Sequence, residues 1–216
     1  MQVFYIFNFL IYSKSNRSGN IYIGVSPRYV ILLSMSVKKK ESYKWFAIRV
    51  TYGREIKLKA YLDTIKTESF VPLKLTEIIR KGKTKKELLP AIRNLIFIHT
   101  NRSTLDILKK ELESSIPIRY MIDKARKMPI IVPDDQMKHF IAISGAQDEQ
   151  TLFLTHIAPV LRNGTRVRVV SGIFKGVEGT IVRIKRDRRI MVNIDGVIAV
   201  VSAHIHPSLL EKIDTL

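Results

Sequence analysis

The chain has 216 residues, 37 Lys+Arg against 19 Asp+Glu for a formal charge of +18, 46% hydrophobic residues and no cysteine. At about 150 residues per domain, that length favours two modest domains over one large one. The apolar share excludes disorder over most of the chain, the missing Cys excludes disulfides, thiolate nucleophiles and Cys-ligated zinc, and the positive charge points to a polyanion such as nucleic acid or an anionic membrane surface. A cysteine-free chain is at home in the reducing cytoplasm.

Residues 1–34 stand apart: Lys14, Arg17 and Arg28 are their only charged side chains, after the apolar block Val3 to Tyr12. That block is too short to cross a hydrocarbon core, which takes about 20 residues, and it lacks the flanks of a signal peptide. Three readings stay open for this extension: a start called too early with Met35 as initiator, a poorly ordered tail, or an amphipathic surface anchor. The expectation is an unpacked segment. The basic character does not depend on it. Residues 35–150 carry 24 basic and 14 acidic side chains (+10) and residues 151–216 carry 10 and 5 (+5).

From Lys44 to Val50 the aromatic and β-branched residues predict a strand, turned at Thr51-Tyr52-Gly53. A helix follows from Arg54 to about Lys66, with Leu58, Tyr61, Leu62 and Ile65 on one stripe and Glu55 in its first turn. Ser69 to Pro72 predicts a short strand. The stretch 80–86, Arg-Lys-Gly-Lys-Thr-Lys-Lys, reads either as a hairpin tip set against phosphates or as a solvated loop. Ile92 to Ile98 predicts a central strand covered on both faces. Ser103 opens a second helix with Asp106 as a capping-box partner, and Leu105, Leu108 and Leu112 form its stripe. Pro117 to Ile122 is a further strand, and a third helix runs from Pro133-Asp134-Asp135 to Gly145. The order gives an α+β domain over 35–145.

Residues 146–161 read as a linker, and the rest is β. Val167 and Val169 alternate with Arg166 and Arg168, Asp187-Arg188 marks one hairpin tip, and Asp195-Gly196 is a two-residue hairpin signal. Several short strands with glycine at the bends describe a small closed barrel over 162–216.

Here residues carry a resemblance. Gly164-x-Arg166-Val167-x-Val169-x-x-Gly172-x-Phe174-Lys175-Gly176-x-x-Gly179 resembles a KOW motif, the opening of SH3-like barrels in elongation factors and ribosomal proteins. Upstream, Trp45-Phe46-Ala47-Ile48, Gly53-Arg54-Glu55 and Leu95-Ile96-Phe97-Ile98 resemble the NusG N-terminal domain, closest to the UpxY type of specialised paralogue; Arg93 stands where that family usually has proline. The resemblance implies a NusG-type sheet with helices on it, then an SH3-like KOW barrel. It also implies a cytoplasmic, monomeric antitermination factor that binds the RNA polymerase clamp helices and suppresses pausing or termination on long operons, as for surface polysaccharide synthesis.

The matching polymerase-contact positions are Tyr52, Ile92, Leu95 and Phe97, with an opposing contact at Ser103 and Thr104. Core packing for the apolar four and helix capping for Ser103 are the competing readings. Reading of non-template DNA or nascent RNA is implied, with Arg54, Lys57, Lys81, Lys83, Lys85 and Lys86 as phosphate contacts and Tyr52 able to stack on a base. The barrel would bind a ribosomal small-subunit protein, Rho or RNA. The alternative is a ribosome-associated KOW RNA-binding protein. No catalytic motif is present, His204-x-His206 makes a poor metal site, and neither enzyme activity, a cofactor nor a membrane is expected.

Overall fold

The computed structural model describes residues 2–6, 9–15, 21–25, 42–80, 82–146, 148–155, 164–184 and 186–213. Residues 1–41 and 42–216 form separate compact units. In the first unit, β1 (Gln2–Ile6), β2 (Phe9–Ser15) and β3 (Ile21–Val25) pair antiparallel in the order β1-β2-β3. Within the extension expected to be unpacked, these described residues pair along their backbones, as the density of Ile, Phe and Tyr favours.

The second unit begins with an antiparallel sheet in the order β10-β4-β8-β5, with β9 also paired to β4. Its strands are β4 (Lys44–Val50), β5 (Ser69–Phe70), β8 (Leu95–Thr100), β9 (Ile118–Tyr120) and β10 (Ile131–Val132). Alternation along β4 divides the faces. Phe46, Ile48 and Val50 meet Ile96 and Ile98 on one side, beneath Leu58 and Leu62 of α1 (Glu55–Thr64) and Leu105 and Leu108 of α2 (Arg102–Glu111). Trp45 and Ala47 meet Leu95 and Phe97 on the other, beneath Met137, Phe140 and Ile143 of α3 (Asp134–Gly145).

Helix α2 is capped by Asn101, whose Oδ1 accepts from the Thr104 N–H at 2.8 Å. This corrects the expected Ser103 cap: the cap lies two residues earlier and the helix begins at Arg102. Asp106 serves the helix surface instead, accepting from the Tyr120 hydroxyl at 2.8 Å and from Arg102 Nε at 3.2 Å.

Between β5 and β8 the chain makes a separate two-stranded ribbon, β6 (Leu73–Arg80) and β7 (Lys83–Pro90), in register from Leu73↔Pro90 to Arg80↔Lys83. The 80–86 stretch is therefore a hairpin end.

The third sheet is antiparallel with six strands in the order β11-β15-β14-β13-β12-β16. They are β11 (Leu152–Leu154), β12 (Arg166–Val169), β13 (Glu178–Ile184), β14 (Asp187–Ile194), β15 (Ile198–Val201) and β16 (Leu210–Lys212). Three expectations are corrected here. Residues 152–154 lie inside the expected linker but pair with β15 (Leu152↔Val201 to Leu154↔Ala199), because an apolar triplet covers the edge of a strand whose residues are all buried. Asp187 and Arg188 belong to β14, since Ile184 pairs with Asp187 and Arg186 takes the left-handed turn conformation at φ 73°. The Asp195-Gly196 hairpin carries a third loop residue, Val197, whose N–H donates to the Ile194 carbonyl at 3.0 Å.

Two glycines in and beside this sheet have separate reasons to be glycine. Gly176 sits at φ 84°, where a side chain is strained, and a Cβ on Gly179 would lie 2.5 Å from Ile190 Cγ2 and 2.6 Å from the Met191 carbonyl. Val167, Val169, Phe174, Ile190, Val192 and Val200 belong to the same apolar cluster as Trp45, Phe97 and Phe140, so α3 is packed from both sides. Burying each such side chain contributes about 1.5–3 kcal/mol. Gln136 Nε2 on α3 also donates to the Asn193 carbonyl at 2.5 Å.

Candidate functional site

The turn after β4 is built around Tyr52, which takes a left-handed conformation (φ 61°) with its side chain 82% exposed. An aromatic residue there costs on the order of 1–3 kcal/mol and persists only where the surroundings over-determine it. They do so here. The Val50 N–H donates to the Asn94 carbonyl at 2.9 Å, the Thr51 N–H to the Pro117 carbonyl at 3.1 Å, and the Gly53 N–H to Asn94 Oδ1 at 2.8 Å. The Arg54 guanidinium donates to the Ser115 carbonyl and lies over the Tyr52 ring, 5.4 Å from its centroid. Tyr52 is thus held outward on a pinned loop with a cation against its face.

The other expected polymerase contacts are placed differently. Leu95 and Phe97 are 2% and 0% exposed, and the Phe97 ring meets Phe140 edge-on at 5.6 Å. Ile92 is half-buried against the same cluster. Ser103 and Thr104 are half-buried in the first turn of α2. They follow Thr100, which pairs with Lys44 at the start of β4, whereas Tyr52 follows its end. Six residue steps of strand put these two regions about 20 Å apart along the sheet. Between Lys44 and α2, a cavity of about 370 Å³ is lined by Tyr43, Glu68, His99 and Thr104. His99 stacks on Trp45 at 4.9 Å and its Nδ1 lies 2.7 Å from Glu68 Oε2.

The expected phosphate contacts fall on two elements. Arg54 and Lys57 stand at the start of α1, while Lys83, Lys85 and Lys86 stand on β7; Lys81 lies outside the described residues. The ribbon register separates the last three. Lys74, Arg80, Lys83 and Lys85 share one face with Glu87, which is 3.4 Å from Arg80 and 3.5 Å from Lys85. Lys86 is on the opposite face and pairs with Glu149, whose carboxylate raises the Lys86 pKa by a hydrogen bond and by its charge.

In the β domain, Val167 and Phe174 are core, Gly172 and Gly176 make turns, and Lys175 is exposed. Arg166 and Arg168 flank Glu178 at 3.6 and 2.6 Å. The Arg168 hydrogen bond holds the Glu178 carboxyl below the usual range against desolvation. A cleft of about 770 Å³ between α3 and this domain is lined by Asp135, His139, Arg166, Glu178 and Asn193 among others. Burial lowers the His139 pKa there, against the opposing charges of Glu178 and Asp135.

Sequence reasoning did not single out Arg49 and Arg119, which stand directly opposite each other on β4 and β9. The available signal was a single arginine between apolar or aromatic neighbours in each strand, Ile48 and Val50 in β4 and Ile118 and Tyr120 in β9. Among the described residues no group of three or more His, Asp or Glu could hold a metal, and no helix is long and apolar enough to cross a membrane.

Comparison with known proteins finds similarity over the first domain. Residues 43–141 match the family model described as transcription termination factor NusG. The chain is also 27% identical over 175 residues to the transcription termination/antitermination protein NusG of Thermus thermophilus, covering 72% of this chain and 91% of that protein. A solved structure concerned with domain interaction in Thermotoga maritima NusG is similar at 17% identity and a TM-score of 0.40, covering 80% of this chain and 98% of that one.

Proposed function

Proceeding from a NusG-family domain over residues 43–141, we propose that this protein is an elongation and antitermination factor that binds the RNA polymerase clamp helices. In this reading it suppresses pausing or termination on long operons, of the kind that direct surface polysaccharide synthesis. It works in the cytoplasm as a monomer and without a cofactor. A factor of this kind acts by differential affinity: binding one state of the polymerase more tightly shifts the population toward it.

The family match is the observation that carries the reading, and the placement of the contact regions supports it. The Tyr52 turn and the start of α2 lie at opposite ends of one sheet, the arrangement needed to touch two parts of a large partner at once. Tyr52 and Ile92 offer accessible surface, while Leu95 and Phe97 act by fixing the shape of the sheet beneath them. Arg54, Lys57 and the ribbon lysines supply sequence-independent affinity for non-template DNA or nascent RNA. The β domain from β12 to β16 is read as a KOW barrel that tethers a ribosomal small-subunit protein or Rho.

Single-round transcription through a terminator, on templates with and without the operon leader, tests this reading. Increased read-through confined to the leader template is expected; equal termination with and without the protein would overturn it.

A further inference from the structure

Arg49 and Arg119 are paired residues in the antiparallel β4–β9 ladder. Their neighbours Ile48, Val50 and Ile118 turn inward to the core beneath α1 and α2, so both arginines project from the opposite face. Both are exposed, and among the described residues neither makes an ion pair. Like charges directly opposite on a ladder are unfavourable, and their Cα atoms are only about 5 Å apart. Exposed Arg93 directly precedes Asn94, the residue that pins the turn. The Pro117 carbonyl that holds Thr51 is two residues before Arg119, so the pair and the Tyr52 turn share one hydrogen-bonded junction.

We propose that Arg49 and Arg119 form an oxyanion site that takes one phosphodiester of a single-stranded nucleic acid, with a neighbouring base stacked on Tyr52. Two guanidiniums facing the same way offer a fork on each side of a phosphate, the geometry that arginine provides and lysine does not. The phosphate neutralises the repulsion that the fold leaves in place. Tyr52, exposed and already carrying Arg54 on its ring, supplies the aromatic platform that single-strand binding uses. An acidic protein segment is the weaker fit, because it brings no base for the exposed Tyr52 ring to stack on. The proposal rests on the nucleic-acid part of the function above. It deepens that part by naming one phosphate and one base that the junction at the Tyr52 turn would hold.

The test is fluorescence anisotropy of the full chain with a short mixed-sequence oligonucleotide, single-stranded DNA and RNA in separate arms, over a salt series without polymerase. R49Q/R119Q should weaken binding about tenfold or more at low salt, and the slope of log affinity against log salt should fall by about 0.7, one single-strand phosphate contact. Y52A should weaken binding roughly five- to a hundredfold with the slope unchanged. The melting temperature of R49Q/R119Q should equal or exceed that of the parent, since a repulsion is removed, which separates lost binding from lost fold. Wild-type affinity and slope in R49Q/R119Q would overturn the proposal. So would intact oligonucleotide binding with lost capture of nucleic-acid-free polymerase, which would make the pair a protein contact. Polymerase capture by the parent chain, measured alongside, shows whether the polymerase reading stands when the oligonucleotide result fails.

Discussion

The two faces of the β10-β4-β8-β5 sheet are both apolar and both covered by helices, yet they are built for different work. The face under α1 and α2 is closed by helices, and Phe46 and Ile48 of the sheet with Leu58 and Leu62 of α1 belong to a cluster that, among the described residues, lies within the first domain. The face under α3 is shared: Trp45, Phe97 and Phe140 continue into Val167, Ile190 and Val200 of the β domain. Toward the Tyr52 end, this face gives way to exposed Arg49 and Arg119. One face holds the fold. The other joins the domains and presents a charged margin, so the same alternation that buries Trp45 and Ala47 exports Arg49 from the next position in register.

The largest expected effect falls on the shared face. Phe140→Ala should cost about 3–5 kcal/mol and should loosen both domains together, because Phe140 lies in a cluster that spans them. Denaturant unfolding followed by a probe in each domain checks this; loss confined to one domain would break the comparison. Leu62→Ala, wholly buried on the other face, should cost about 2–4 kcal/mol. It should leave the packing of α3 on the β domain intact, as read by hydrogen exchange of α3.

A smaller effect sharpens the boundary of α2. Asn101→Ala removes the cap bond to the Thr104 N–H and should cost about 1 kcal/mol, measured as a shifted denaturation midpoint at constant slope. The smallest expected effect depends on pH and belongs to the shared face alone. Burial lowers the His139 pKa in the folded protein, so the unfolded chain, titrating near about 6.5, takes up the proton first. Stability contributed by neutral His139 is therefore full above about pH 6.5 and declines as pH falls toward the lowered folded value. Comparing melting temperature against pH for the parent and His139→Gln should show a shallower acid-side decline in the variant.

Much of the fold was legible because local signals agreed with tertiary context. The strand at Lys44–Val50, the helix stripe of Leu58 and Leu62 and the third helix ending at Gly145 stand where periodicity put them, whereas the central strand expected from Ile92 begins at Leu95, because residues 91–94 form the turn whose Asn94 holds Gly53. The misreadings have physical causes. Ser103 carries the usual capping signature, but Asn101, two residues earlier, reaches the Thr104 N–H first. Leu152 to Leu154 sits between polar segments and looks like linker, and only the uncovered edge of β15 makes it a strand.

The candidate site was legible by residue type and not by direction. Four cations of the 83–86 and 54–57 stretches are exposed as expected, but the ribbon register sends Lys86 to Glu149 and away from Lys83 and Lys85. Arg49 and Arg119 are 70 positions apart in sequence, and nothing local announces that the β4–β9 pairing sets them side by side.

The central claim is that the first domain, whose residues 43–141 match the NusG family model, engages the transcription machinery. Its most direct test is quantitative co-purification of the tagged full chain from its native cells after nuclease treatment, scoring RNA polymerase subunits against ribosomal subunits. The account predicts stoichiometric enrichment of polymerase that survives the nuclease; enrichment of ribosomal subunits with polymerase at background would contradict it.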